Sequence, residues 1–388
     1  MRRPNLLACL LLVLLGPVAV AAQNKNFIPV EGATLAARFD AAARQASAAG
    51  GPSRYWTAYT FDVRPGVAVD FEYVGDDGSH FNFSGDSVSI NDGIVIGTGG
   101  VVETRNLGIF VQRMREGNAV TRVDVYNLQR RREYSGYPVY WAGRAAHDES
   151  LTMLRGLADS ATSSDLSTQA ARAIALHDDR RVGEMLEQIA RSGKFEDARA
   201  TAVSWLGRTP DVTPARQAFL LDLARSEREP EKIRRAAIHA YGSARDASAM
   251  PGLRGLYTSV VTHDLKRAVL ASVARNESRE AVDFLINVAR SDAEPDMRKR
   301  ALMHLGHRAG QQSAAALAGA VEQTDAETEL QKQAVVALSR RAAEESVPML
   351  INIARTHRKA EVRREALRLL GRTGDARALD LFREILLR

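Results

Sequence analysis

The chain has a single cysteine, Cys9, and it lies inside an apolar leader. Once that leader is removed no thiol remains, which excludes disulfides, thiolate catalysis and cysteine-ligated metal together. There is no GxSxG, no P-loop and no dinucleotide fingerprint, so hydrolase, kinase and dehydrogenase chemistry lack residues to carry them. Charge of one sign is missing too. Lys and Arg against Asp and Glu number 15 to 15 in residues 1–150 and 38 to 32 in residues 151–388. The whole net charge of +6 therefore lies in the second part, diluted among many opposite charges. That is a mixed surface, not the one-sided basic face that nucleic acid requires, and nucleic acid is not an expected partner.

The one long apolar run is the leader itself. "MRRPNLLACLLLVLLGPVAVAAQ" sets Arg2 and Arg3 ahead of Leu6 to Val20, with small residues at Ala19, Ala21 and Ala22. This is the pattern of a secretory signal peptide cut near Ala21 or Ala22. Residues 1–22 are expected to be removed and the mature chain exported, to a periplasmic or extracellular location. The run is short for a span and is broken by Gly16 and Pro17; an uncleaved anchor is the alternative reading. With the leader cleaved, no stable membrane span is expected.

What is present in abundance is a repeat. Aligned on one small residue, "LSTQA", "ARATA", "IRRAA", "LKRAV", "MRKRA", "LQKQA" and "VRREA" end at Ala170, Ala202, Ala237, Val269, Ala301, Ala334 and Ala366, in steps of 32, 35, 32, 32, 33 and 32. Each unit continues with apolar residues, often a Gly (Gly207, Gly242, Gly306, Gly371), a polar turn and a second apolar stripe such as "EAVDFLINVAR". Apolar residues at i, i+4, i+7 and i+8 in both halves predict two helices, and the Gly suits the C-cap of the first. One such hairpin cannot bury its stripe alone, so successive units must stack. "ESLTMLRGLADS" reads as a leading cap and "DLFREILLR" as the trailing helix.

The text "EVRREALRLLGRTGDARALDLF", with its apolar residue, Arg, Ala and "LG", resembles the short HEAT-like repeats found in phycobilin lyases. The resemblance covers about residues 149–388. It implies an armadillo-type α-solenoid of about seven helical hairpins over residues 146–388, without implying one activity, since such repeats serve many roles. It also implies that the second helix of each unit lines the inner row, where a protein partner would lie. Outward positions on that row are Arg254, Asp283, Asn287, Asn352 and Asp380.

Residues 23–51 predict a short helix around Leu35 and Phe39 ending at Gly50 and Gly51, followed by a linker. From residue 52 to about 145 the period becomes two. "RYWTAYTFDV", "VAVDFEYV", "SVSINDGIVIG", "LGIFVQRM" and "AVTRVDVYNL" are separated by "RPG", "DDG", "GTGG" and "EGN" turns. A small antiparallel β-domain, sandwich or barrel, is expected ahead of the solenoid, giving an α+β multidomain chain. "RRREYSGYPVYWAGR" gathers Tyr134, Tyr137, Tyr140 and Trp141 beside arginines. These form either the joint between sheet and solenoid or a platform for a ligand or glycan.

Candidates for metal chemistry are few. His304 and His307 sit three apart but lack a third ligand, and the paired His-Glu dipeptides implied by a deoxyhypusine hydroxylase resemblance are absent: His147, His177 and His263 are each followed by Asp. "GDDGSHFNFSGD" clusters Asp76, Asp77, His80 and Asp86, which reads first as a hairpin turn and second as a calcium loop. No cofactor is expected. The arginine pairs that recur in the repeats divide by position. Arg267, Lys299, Lys332 and Arg364 follow Asp264, Asp296, Glu329 and Glu361 at i, i+3, which supports their own helix. Arg234, Lys266, Arg298 and Arg363, with Gln331 interrupting the row, predict a ladder tying unit to unit, or alternatively a binding strip. The expected function is an exported, non-enzymatic scaffold that binds a partner protein. An enzyme such as a chromophore lyase and a glycan-binding β-domain are the alternatives.

Overall fold

Arg54–Thr60 (β2) carries Tyr55 and Tyr59 on one side and Trp56 and Ala58 on the other, and all four are buried. A strand bulky on both sides needs cover on both sides. On the Tyr59 side the cover is helical. Leu35–Ala49 (α1) lays Phe39 edge-on against the Tyr59 ring, 6.0 Å between centroids, and His147–Ser160 (α2) brings Ser150 to the Tyr59 hydroxyl at 2.9 Å. On the Trp56 side the cover is aromatic and comes from the sheet itself. The structure, a computed structural model, describes residues 27–69, 94–96, 106–129, 134–209, 212–244, 247–308, 310–323 and 327–387. The leader with Cys9, the "GDDGSHFNFSGD" loop and residues 130–133 lie outside the described residues.

The sheet is mixed and open, not the antiparallel sandwich or barrel expected. Its other strands are Phe27–Pro29 (β1), Leu107–Met114 (β5), Val120–Asn127 (β6) and Val139–Arg144 (β7), in the order β1-β7-β2-β5-β6; Val67–Val69 (β3) and Ile94–Ile96 (β4) pair separately. β7 runs parallel to both β1 and β2, while β2–β5 and β5–β6 are antiparallel. The physical reason is α1. A helix joining β1 to β2 keeps the two strands parallel and spaced apart, and β7 fills the gap. Thr34 caps α1 by accepting from Ala37 N at 3.2 Å, and Gly50 and Gly51 end it at φ 65° and 89°, a left-handed turn that favours glycine.

By chain contacts, residues 1–211 and 212–388 form two compact units. The first holds the sheet, α1, α2 and the helices Ser164–Ala175 (α3), Val182–Ser192 (α4) and Glu196–Leu206 (α5). The repeat therefore begins inside the same unit as the sheet, and α3 packs against β6, with Gln169 accepting from Val123 N at 3.0 Å. The second unit holds Pro214–Arg225 (α6), Glu231–Tyr241 (α7), Met250–Ser259 (α8), His263–Arg275 (α9), Arg279–Ser291 (α10), Pro295–Gly306 (α11), Gln311–Glu322 (α12), Thr328–Ser339 (α13), Ala343–Thr356 (α14), Ala360–Leu370 (α15) and Ala376–Leu386 (α16). Together these are the helices of a HEAT-like solenoid.

The repeat column is its core. Ala170, Ala202, Ala237, Val269, Ala301, Ala334 and Ala366 are all 0% exposed; within each unit neighbouring first helices, α3–α5 in the first and α7–α9, α9–α11, α11–α13 and α13–α15 in the second, approach across this small residue. Two details differ from the expectation. Larger contacts join each second helix to the following first helix, as in α6–α7, α10–α11, α12–α13 and α14–α15, than join α11–α12 or α13–α14. The tight hairpin is thus phased one helix earlier than the sequence units, and α2 pairs with α3. Nor do the repeat glycines take left-handed caps: Gly207, Gly242 and Gly371 have φ −69°, −77° and −63°. At Gly242 and Gly306 the reason is proximity. A Cβ would meet Ser272 Cβ at 2.5 Å and the Ala337 carbonyl oxygen at 2.6 Å.

Candidate functional site

The arginine row is the most regular polar feature, and its geometry is that of a clamp. A helix leaves its last carbonyls without intrahelical donors and carries partial negative charge at that end. Arg234 Nε donates to Ala224 O at 3.1 Å, Arg298 Nη1 to Asp292 O at 2.7 Å, and Arg363 Nη1 to His357 O at 2.7 Å and Arg358 O at 3.0 Å. Each accepting carbonyl lies at the C-terminal end of the preceding helix. Gln331, which interrupts the charge pattern, preserves the contact by donating to Val321 O at 2.7 Å and Gln323 O at 2.9 Å. So do Arg199 to Ala190 O at 2.7 Å and Ser167 to Ala158 O at 3.0 Å. Lys266 departs: it pairs with Glu294 and lies 5.9 Å over the Tyr257 ring. The carbonyl partners all belong to the tight hairpin or an adjacent turn, while Lys266–Glu294 and Arg298–Glu327 at 3.5 Å reach the next unit as a ladder would; side chains so engaged are poorly placed to bind anything else.

A second row escaped the sequence reading. Arg308 donates to Ala274 O at 3.2 Å and Asn276 O at 2.7 Å, and Arg341 to Arg308 O at 2.6 Å and Gly310 O at 3.0 Å. In the first unit Arg64, from the sheet side, donates to Ala175 O at 3.4 Å and to Arg208 O. For Arg308 and Arg341 the signal was a basic residue just after the first helices α11 and α13. Of the i, i+3 pairs, Arg267–Asp264 at 3.2 Å and Lys332–Glu329 at 3.0 Å form, while Asp296 takes Arg300 at 3.1 Å and Arg267 at 2.9 Å from the previous unit.

The second-helix positions lie on a solvent-facing row that mostly pairs with itself. Arg254 meets Glu280 at 3.6 Å, Asp283 meets Arg279 at 4.0 Å and Gln312 at 2.5 Å, and Asn287 accepts from Ser291 at 3.2 Å. Asn352 and Asp380 are brought together in an open groove of about 430 Å³ between α14 and α16. Pro348, Ile351 and Leu381 give it apolar walls; Arg355 and Glu384 pair at its rim at 2.5 Å, and Asp380 reaches Arg383 at 3.2 Å.

Three of the four aromatics of the stretch lie away from the helices. Tyr134, Tyr137 and Trp141 pack with Phe27 and Tyr126 onto Trp56, Phe110 and Val139, on the sheet face away from α1 and α2. Tyr140 points to the opposite face, edge-on to Tyr55 at 5.7 Å. Strand alternation separates neighbours that the sequence lists side by side. The joint is polar instead. His177, 2% exposed, sits 2.7 Å from Ser150 Oγ through Nε2 and 2.9 Å from Ala173 O through Nδ1, and Phe61 covers its ring at 4.4 Å. Nδ1 faces a carbonyl, so it carries the proton; Nε2 then accepts from Ser150, and Ser150 accepts from Tyr59. This serine–histidine pair looks nucleophilic but is sealed, since all three residues are buried. Burial pushes His177 down to about 4, helped by the charge of His147.

His304 is also pushed down to about 4, by burial first and then by His307, Arg300, Arg275 and Arg308; His307 bonds Arg340 at 2.9 Å. Among the described residues no group of three or more His, Asp or Glu is placed to hold a metal ion, and no helix is long and apolar enough to cross a membrane.

Residues 320–388 match the family model of HEAT repeats. Solved structures similar to the chain include human deoxyhypusine hydroxylase in complex with glycerol, 16% identical at a TM-score of 0.31, covering 61% of this chain and 90% of that one. Escherichia coli YibA is 14% identical at a TM-score of 0.35, covering 58% and 82%. The complex of CpcE and CpcF of phycocyanin lyase from a Nostoc species is 14% identical at a TM-score of 0.32, covering 62% and 93%. No curated protein matches the sequence.

Proposed function

We propose, starting from the HEAT repeats at residues 320–388, that the chain is an exported, non-enzymatic scaffold whose second-helix row holds a partner protein. The observation that carries the reading is the groove between α14 and α16, where apolar walls at Pro348, Ile351 and Leu381 stand under a rim of both charge signs. Such a site suits a protein segment that inserts an apolar side chain and exchanges ion pairs at the edge. Surface pairs such as Arg254–Glu280 and Arg383–Asp380 contribute little to stability, so they are free to re-pair with a partner. The Ser150–His177 pair plays no part in this reading, because it is buried and a substrate has no way to reach its hydroxyl. The test is crosslinking in the native envelope followed by mass spectrometry. Combined charge reversal at Arg254, Asp283 and Asp380, with Asn352→Ala, is expected to remove specific crosslinked proteins; an unchanged set overturns the reading.

A further inference from the structure

Residues 61–64 leave β2 and run along the end of α3 as a strap. Asp178 N donates to Asp62 O at 2.9 Å, Arg64 N donates to Leu176 O at 3.0 Å, and Val63 forms an isolated antiparallel bridge with His177. Every one of these bonds is made to His177 or to a residue beside it, and the Phe61 ring rests on its imidazole. We propose that this strap is an acid-released latch, opened when His177 takes up a proton.

The hydrogen-bond chain decides the matter. In the neutral state Tyr59 donates to Ser150, Ser150 to Nε2 of His177, and Nδ1 to Ala173 O, so every buried proton has an acceptor. A second ring proton on Nε2 needs an acceptor of its own. Only Ser150 Oγ stands there; its two lone pairs can accept from both Nε2 and Tyr59, but its own proton then loses Nε2, the acceptor it had, so the chain holds one buried proton more than it has acceptors. The new charge is also left without a carboxylate in direct contact. From α2 the ring faces His147, 6.3 Å between centroids, which repels it. From the turn after α3 it faces Asp179, whose carboxylate is already held by Arg181 and kept well below the usual range by that bond. From the strap comes Asp62, which pairs with Arg144 and with His147 at 3.1 Å. From β2 there is only the neutral Tyr59. The Phe61 face offsets part of the charge, but it cannot restore the missing acceptor. Release is the relaxation that readmits water to both groups, and it is consistent with the ring's downward shift to about 4.

The full chain is tested by hydrogen exchange, corrected for intrinsic rate, between about pH 7.5 and about pH 4.5, a window that runs from above the ordinary histidine value to just above the lowered one. Protection at the amides of Arg64 and Asp178 is expected to fall at least about tenfold and to stay well below that of the β5 amides at about pH 4.5, so that the strap opens while the sheet remains closed. Ser150→Ala removes the donor that favours the neutral ring, so the midpoint should move up. His177→Gln should abolish the dependence. Unchanged protection at both strap amides in the wild-type chain overturns the latch, as does strap protection equal to that of β5 at about pH 4.5, which would mean exchange only through unfolding of the whole unit. Retention of the full pH response in His177→Gln overturns it as well.

Discussion

Arg341 is 8% exposed and spends its guanidinium on two carbonyls, Arg308 O and Gly310 O, and on Glu345 at 2.6 Å. Its replacement by Met keeps the stem but leaves those acceptors bare. Arg341→Met is expected to destabilise the second unit by about 1.5–3 kcal/mol, the range for a hydrogen bond to a charged group. Arg254→Ala, which loses only a pair about half exposed on both sides, should change stability by less than about 0.5 kcal/mol. Urea unfolding of the two variants ranks them, and equal effects would contradict the clamp. The histidines give a second residue-scale outcome. A histidine whose folded value lies below its unfolded one stabilises the fold fully above the unfolded value, and that contribution is lost as pH falls toward the folded value. For His177, at about 4 against an ordinary 6.5, the loss runs between those pH values and amounts to about 3 kcal/mol. His304, in the other unit, shifts in the same direction for the same first reason. His177→Gln and His304→Gln should each flatten part of a melting-temperature profile taken between about pH 7 and pH 4.

At the scale of the helix, two glycines thirteen residues apart in the sequence, Gly306 and Gly319, are expected to respond in opposite ways to the same substitution. Gly306 stands where a Cβ would meet the Ala337 carbonyl oxygen at 2.6 Å, a backbone atom that cannot swing aside. Gly319, in the middle of α12, has nothing within 4 Å of that position. Gly306→Ala is expected to cost about 1–3 kcal/mol by overpacking, and Gly319→Ala to stabilise by about 0.5–1 kcal/mol through helix propensity. Thermal melts of the two variants should move in opposite directions. The contrast also marks what a sequence can disclose about such elements. The buried column from Ala170 to Ala366 was legible because a period near 32 repeats a packing requirement. The hairpin phase was not, since a period fixes spacing without saying which neighbour a helix prefers. β1 was hidden by its three-residue length, and the parallel course of β7 depends on pairing with strands more than eighty residues away in sequence. Asn352 and Asp380 were named as outward positions, but the groove that unites them depends on how α14 and α16 abut, which no local pattern records.

At the scale of the whole molecule the question is what kind of force a mixed surface offers a partner. A net charge of +6 on 388 residues, with acids and bases interleaved, produces little long-range attraction. Rim pairs such as Arg355–Glu384 and Asp380–Arg383 must break before they can re-form across an interface, so their net contribution is small. If the second-helix row binds a protein, the apolar walls of the α14–α16 groove have to supply most of the affinity. Two outcomes follow from that reasoning. Ile351→Asp, which sets a carboxylate on an apolar wall and leaves the rim untouched, should abolish capture of the crosslinked partner, whereas Arg355→Ala should weaken it less than about tenfold. Raising the salt from about 50 to about 300 mM should lower affinity only about twofold to threefold, because short-range apolar burial is not screened. Titration of the purified partner at both salt concentrations measures this directly. A steep loss with salt, together with full binding by Ile351→Asp, would move the binding force from the groove to the charged rim.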